Sequence, residues 1–246
     1  MKTVLIVGAT SAIAMACSKI WAKRGFHLIL LARDPERLSQ VAADLTALGA
    51  GATTSIVLDI NDLTAHAPII DRVVTNQRTI DICLIATGIL PEQDICEQDS
   101  EEALRHFQTN ALSVIAFLTQ LVPNLSQQQM GAIGVITSVA GDRGRPSNFY
   151  YGSAKAAVSV FLSGLRAKLY SRGLTVTDIK PGFVDTPMTS NLKLPALLVA
   201  SPERVATDIV RAIEQGRAVC YTPSFWRWIM LVIRHIPEFI FKRLSL

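Results

Sequence analysis

Apolar residues fall in short runs, and between the runs they recur at helical spacing. Residues 4–7 form a β-branched run, and 12–24 carry a helical pattern that Gly25 ends. A second apolar run covers 27–31. A helix over 35–48 begins with Pro35, and Asp34 stands where an N-cap is needed. The alternation continues with a strand at 54–58, a helix at 63–76, a strand at 81–86 and a long helix from about 101 to 121. A strand at 134–137, a helix at 154–172, a strand at 174–179, a helix at 202–215 and a last strand at 218–221 complete it. Strands separated by helices of this length predict βαβ units and a parallel sheet. The runs at 4–7 and 82–86 are nearly unbroken, as strands buried on both faces are. The expectation is an α/β fold. A single doubly wound domain covers residues 1–222, with helices on both faces of a mostly parallel sheet. An amphipathic helical tail follows at 223–246.

Composition narrows the class. Of 246 residues, 50% are apolar and 18% charged, which excludes a largely disordered chain. Four cysteines without CxxC spacing exclude a disulfide scaffold and give no metal pairing. His66 and His106 read as surface or helix-face histidines, and no metal site is expected. A net charge of +4 is too mild to argue for nucleic acid. The first residues read as a mature strand and not a secretory leader, so the expected location is cytoplasmic.

Two segments suit a nucleotide. Gly8, Ala9, Thr10, Ser11, Ala12, Ile13 and Ala14 join the first strand to the first helix. A turn of small residues there brings backbone amides and a helix N-terminus to a pyrophosphate. The alternative is an ordinary strand–helix turn. At the end of the second strand, where an acidic residue would bind a ribose 2′-hydroxyl, this chain has Arg33. A guanidinium there suits a 2′-phosphate, which favours NADP(H). The alternative is a surface arginine paired with Asp34 or Glu36. Asp59 and Ile60 fall where an adenine would lie. Ala86, Thr87 and Gly88 let a cofactor rest on the backbone.

The chemical signal is Tyr151 and Lys155, at i, i+4 on one helix face. A nearby ammonium is expected to lower the phenol pKa and make Tyr151 a general acid for a carbonyl oxygen. Ser138 closes the fifth strand, and its hydroxyl is placed to hold the same oxygen. Asn110 lies inside the long helix, an unfavourable position that suggests a specific role.

In this order, on these elements, the residues resemble the short-chain dehydrogenase/reductases from residue 1 to about 222. The resemblance implies a Rossmann-type fold and a tetrad of Asn110, Ser138, Tyr151 and Lys155. The tyrosine would transfer the proton and the serine orient the carbonyl. The lysine would bind the nicotinamide ribose, and the asparagine would hold a water. Pro181, Gly182, Val184 and Thr186 match the segment that contacts the nicotinamide. The chain departs from the family pattern at Ala12 and Ala14, where glycines are usual, and at Ala86-Thr87-Gly88, usually Asn-Ala-Gly. The stretch Gly141–Lys155 and the tail segment Arg234–Arg243 look like the decaprenylphosphoryl-2-keto-ribose reductases. That likeness implies a keto-sugar on a polyprenyl phosphate, reduced at the membrane face and tied to cell-envelope polysaccharide, with a separate oxidase as partner. The alternative is the same chemistry on a soluble or acyl-lipid ketone, with the tail used for oligomerisation; a non-catalytic cofactor-binding regulator is the outlying reading, since no tetrad member is missing.

The tail holds most of the basic excess, with Arg227, Arg234, Lys242 and Arg243 against Glu238. Trp226, Ile229, Met230 and Ile233 share one helical face, Trp228, Leu231 and Val232 widen it, and Pro237 ends the helix. Bulky apolar residues with flanking arginines suit a helix lying in a lipid headgroup layer. Packing across a homo-oligomer interface and ordinary core packing are the alternatives. The apolar stretch 186–200 reads as a loop, and the resemblance implies that it closes over the substrate.

Overall fold

The computed structural model describes residues 1–76, 79–128, 131–192 and 194–244. Nine strands form in chain order. They are β1 (Thr3–Val7), β2 (His27–Ala32), β3 (Ala52–Val57), β4 (Ile82–Ile85), β5 (Gly131–Ile136), β6 (Leu174–Pro181), β7 (Phe183–Val184), β8 (Val199–Ala200) and β9 (Val219–Thr222). Seven pair in the order β3-β2-β1-β4-β5-β6-β9, and every pairing is parallel. The strand order reverses between β1 and β4. Ligands of open parallel sheets settle beyond the strand ends at such a point.

The helices are α1 (Ala12–Ala22), α2 (Pro35–Ala47), α3 (His66–Asn76), α4 (Gln93–Gln98), α5 (Ser100–Phe107), α6 (Ser113–Gln128), α7 (Phe149–Leu169), α8 (Pro202–Glu214), α9 (Trp226–His235) and α10 (Glu238–Phe241). Alternate strand residues serve opposite layers. Val4, Ile6, Leu28 and Leu30 pack with Trp21 of α1, Leu38 of α2 and Ile209 of α8. Leu5, Val7, Ile29 and Leu31 pack with Ile70 of α3, Phe117 of α6 and Val158 of α7. The period-two pleat of strands buried on both faces thus produces two separate apolar cores.

The structure revises several expected boundaries. The long helix at 101–121 is two helices, α5 and α6, joined by a π-helical turn over Gln108–Leu112 that contains Asn110. The helix expected from residue 154 starts at Phe149, so Tyr151 stands in its first turn. The small sheet of β7 and β8 and the helix α4 carried no periodic signal. His66 is not a surface residue. It is fully buried, and its Nε2 lies 2.9 Å from the Ile60 carbonyl. Among the described residues, no cluster of three or more possible metal ligands occurs.

The tail folds back onto the domain, and Pro237 follows the end of α9 as expected. Trp226 and Met230 are buried in a third apolar cluster with Val139, and Ile229, Ile233, Phe183, Leu198 and Tyr221 pack against it. The face read as lipid-seeking is therefore largely spent on the protein itself. A second apolar side remains outward. Trp228 is 64% exposed, Val232 65% and Phe239 63%. Arg143, on the loop after β5, fastens the tail. Its guanidinium donates to the carbonyls of Ile233 at 2.7 Å and Ile236 at 2.6 Å, and to the Glu238 carboxylate. It also lies 3.6 Å from the centroid of the Phe241 ring. No helix among the described residues is long and apolar enough to cross a membrane.

Candidate active site

A cavity of about 500 Å³ opens at the switch point. It is lined from one end by Gly8, Thr10, Ser11, Ala12, Ile13, Arg33, Asp59, Ile60, Ala86, Thr87 and Gly88. From the other it is lined by Ser138, Tyr151, Lys155, Pro181, Gly182, Val184 and Thr186. These residues come from the ends of strands, the loops that follow them and the N-terminal turns of α1 and α7. Asn110 stands behind the lining, almost fully buried.

The nucleotide end is shaped by backbone. Gly8 has φ +81° and donates its N–H to the Leu31 carbonyl at 2.8 Å. A Cβ on it would stand 2.9 Å from the backbone of Ala86 and Thr87, so only glycine permits this approach. The Ser11 hydroxyl caps α1 by accepting from the Ala14 N–H at 3.2 Å. It is thereby committed to the helix start rather than free. Ala14 is buried in the first core, where its methyl group causes no conflict. Asp34 caps α2 through the Arg37 N–H at 3.0 Å. Arg37, in the first turn of α2, also lines the cavity. Sequence reading missed it, because Arg33 precedes the N-cap and helical spacing does not link the two. The Thr87 hydroxyl is buried, with no hydrogen-bond partner among the described residues. Asn61 was also missed. It lines the cavity and ties the loop after β3 to the π turn, donating to Thr109 Oγ1 at 3.0 Å and accepting from Ser113 Oγ at 2.9 Å.

The reaction end is built from side chains. Lys155 is buried, and its Nζ donates to the Ile136 carbonyl at 3.1 Å. The same Nζ lies 5.7 Å from the centroid of the Tyr151 ring. Burial lowers the Lys155 pKa to about 8, with the Asp178 carboxylate working against it. Burial raises the Tyr151 pKa to about 12, and hydrogen bonding to Ser138 offsets part of that. The expected lowering of the phenol by lysine is not seen: burial dominates, and the Ser138 hydrogen bond, not the lysine, opposes it. Asn110 spends both ends of its amide on Ile89, accepting from its N–H at 3.0 Å and donating to its carbonyl at 2.9 Å. It thereby fixes the chain just after Gly88. A Cβ on Gly88 would meet Asn110 Oδ1 at 2.9 Å and Lys155 Nζ at 3.2 Å. Gly182 touches the tail, because a Cβ there would overlap the Trp226 indole.

This chain belongs to the short-chain dehydrogenase family, an oxidoreductase family whose model matches residues 2–196. It is 34% identical over 241 residues to an uncharacterised oxidoreductase of Mycobacterium tuberculosis, covering 98% of this chain and 96% of that one. It is 32% identical over 244 residues to an uncharacterised oxidoreductase of Streptomyces coelicolor, with 99% and 96% covered. Its fold is similar to that of a 3-oxoacyl-[acyl-carrier protein] reductase from Brucella melitensis. There the TM-score is 0.79 and the identity 23%, with 90% of this chain and 89% of that one covered. The fold implies a nicotinamide nucleotide cofactor. The residues present fit one: a glycine turn that no side chain would allow, a helix N-terminus beside it and the unpartnered Thr87 hydroxyl.

Proposed function

We propose that this protein reduces a ketone to an alcohol with NADPH, using Tyr151 as the proton donor. The observation that carries this is the buried Tyr151 phenol hydrogen-bonded to Ser138, with Lys155 Nζ 5.7 Å from the centroid of its ring, all at the wall of one cavity. The cofactor, when bound, supplies the hydride to the carbonyl carbon. Tyr151 gives its proton to the carbonyl oxygen, and Ser138 hydrogen-bonds that oxygen. Lys155 stabilises the charge left on the phenol oxygen. Asn110 acts through Ile89 as a positioning residue. Arg33 and Arg37, both exposed toward the cavity, support the 2′-phosphate and thus NADP(H) over NAD(H).

The substrate we propose is a keto-sugar on a lipid carrier, met at a membrane surface. The outward apolar residues of α9 and α10 stand among Arg227, Arg234, Lys242 and Arg243, a combination suited to an anionic lipid surface. Met188 and Leu192 are exposed apolar residues at the cavity wall, where a lipid chain would pass. In this scheme a separate oxidase supplies the ketone, and the enzyme works on the cytoplasmic side. The same outward face would otherwise join two copies of the chain.

The test is NADPH oxidation with a polyprenyl-linked ketone in vesicles and with its soluble counterpart, together with vesicle flotation. A triple variant, Trp228→Ser, Val232→Ser and Phe239→Ser, spares the buried face of the tail. Flotation lost in that variant, with soluble activity kept, is the expected result. Equal activity on both ketones, or a dimer broken by the same substitutions without any flotation, would overturn the membrane assignment.

A further inference from the structure

The loop between β5 and α7 carries two polar groups that the proposed reduction leaves unused. Arg145 and Asn148 both line the cavity. Arg145 Nε and Asn148 Oδ1 are out of reach of solvent, and neither has a hydrogen-bond partner among the described residues. The charges nearby are engaged elsewhere. Arg143 pairs with Glu238, and Asp142 pairs with Lys180 and accepts from the Tyr221 hydroxyl. Among the described residues, no carboxylate pairs with Arg145. Burial lowers its pKa, with no opposing charge to restore it.

A partly desolvated guanidinium without a counter-charge costs stability, so it persists where a ligand repays it. The surroundings are of the same sign. The N-terminus of the 21-residue α7 lies a few residues on, with no acidic residue in its first turn. Asn148 occupies the N-cap position of that helix yet makes no side-chain capping bond. Both residues immediately precede the turn that carries Tyr151, so they belong to the reaction end. Arg33 and Arg37 sit after β2, on the far side of the switch point.

We infer that Arg145 and Asn148 form a substrate subsite for an oxyanion carried by the ketone. The guanidinium pairs with the phosphate or carboxylate, and the asparagine amide takes a neighbouring hydroxyl. The substrate class is then an anionic hydroxyketone. This rests on the proposed reductase activity and narrows its substrate; Arg145 would set specificity and take no part in the proton transfer.

Three small probes separate the possibilities: dihydroxyacetone, which is neutral, dihydroxyacetone phosphate and hydroxypyruvate. Each is assayed with NADPH, and each is also tested for a Tm shift on the NADPH-saturated protein. For at least one anionic probe, Arg145→Gln is expected to lower kcat/KM relative to the neutral probe by about 10- to 100-fold, mainly through KM. Arg145→Lys should recover part of this. The anionic arm that responds tells phosphate from carboxylate. The Tm shift reads binding without turnover. If no probe is reduced but an anionic one raises Tm in the natural protein and not in Arg145→Gln, the subsite stands and the reductase activity falls. No Arg145-dependent shift with either anion overturns the subsite. So does a weakened NADPH affinity in Arg145→Gln, which would assign the arginine to the cofactor.

Discussion

The two ends of the cavity are made in different ways. At the nucleotide end the shape comes from main chain: the left-handed Gly8, the start of α1 and the close approach of the β1 and β4 ends. Few side chains there carry a unique interaction. At the reaction end Lys155 and Asn110 are buried and bonded to backbone carbonyls and amides, and Tyr151 is held in a desolvated first turn. A cradle of backbone tolerates exchange of one small residue for another. A constellation of buried polar groups does not, because each lost partner strands another.

The sharpest test of this contrast is Tyr151→Phe. Turnover should fall by about 1,000-fold or more while NADPH binding, followed by fluorescence, persists. Tyr150→Phe should keep turnover, since Tyr150 does not line the cavity. Equal loss in both would undo the assignment of the proton donor. Next, Arg33→Ala should raise the KM for NADPH by about tenfold and leave that for NADH unmoved. An equal rise for both cofactors would remove the 2′-phosphate from that site. A pH profile follows. Burial puts the Lys155 pKa near about 8, and the charged form is the one that helps the proton leave. The rate of reduction should hold below that value and fall several-fold by about pH 9. A limb at the ordinary lysine value would contradict the buried ammonium. Asn110→Ala leaves the Ile89 N–H and carbonyl unpaired and should cost about 1–3 kcal/mol of stability, read as a lower Tm. The smallest effect is expected at the nucleotide end. Restoring glycine at Ala14 should lower stability by about 0.5–1 kcal/mol and barely change NADPH affinity. A large gain in affinity would mean that the alanine does constrict the cradle.

Periodicity was enough for the central strands β1, β2 and β4, because strands buried on both faces leave unbroken apolar runs. The candidate site was legible where spacing along one element carries geometry, as at Tyr151 and Lys155, and where a turn needs glycine, as at Gly8. It was not legible where solvation decides. The phenol of Tyr151 moves upward because of what surrounds it, and a linear pattern does not report that. The π turn at Asn110 was hidden because residues 101–121 keep a helical period across it. The start of α7 was misjudged although Pro146 and Asn148 are turn residues just upstream. In the tail, apolar residues lie on two sides of α9, and only packing reveals that Trp226 and Met230 face inward while Trp228 and Val232 do not.

The Arg143 clamp has a consequence for descent. Two of its bonds go to the main-chain oxygens of Ile233 and Ile236, atoms that every residue type supplies. The fastening therefore survives substitution at those two positions. Exposed side chains of α9 are free to drift while the inner face keeps its place against the catalytic loop. A lineage can thereby change the outer surface of the tail without rebuilding the site beneath, and the tail becomes the part of the molecule where new surroundings are most readily met.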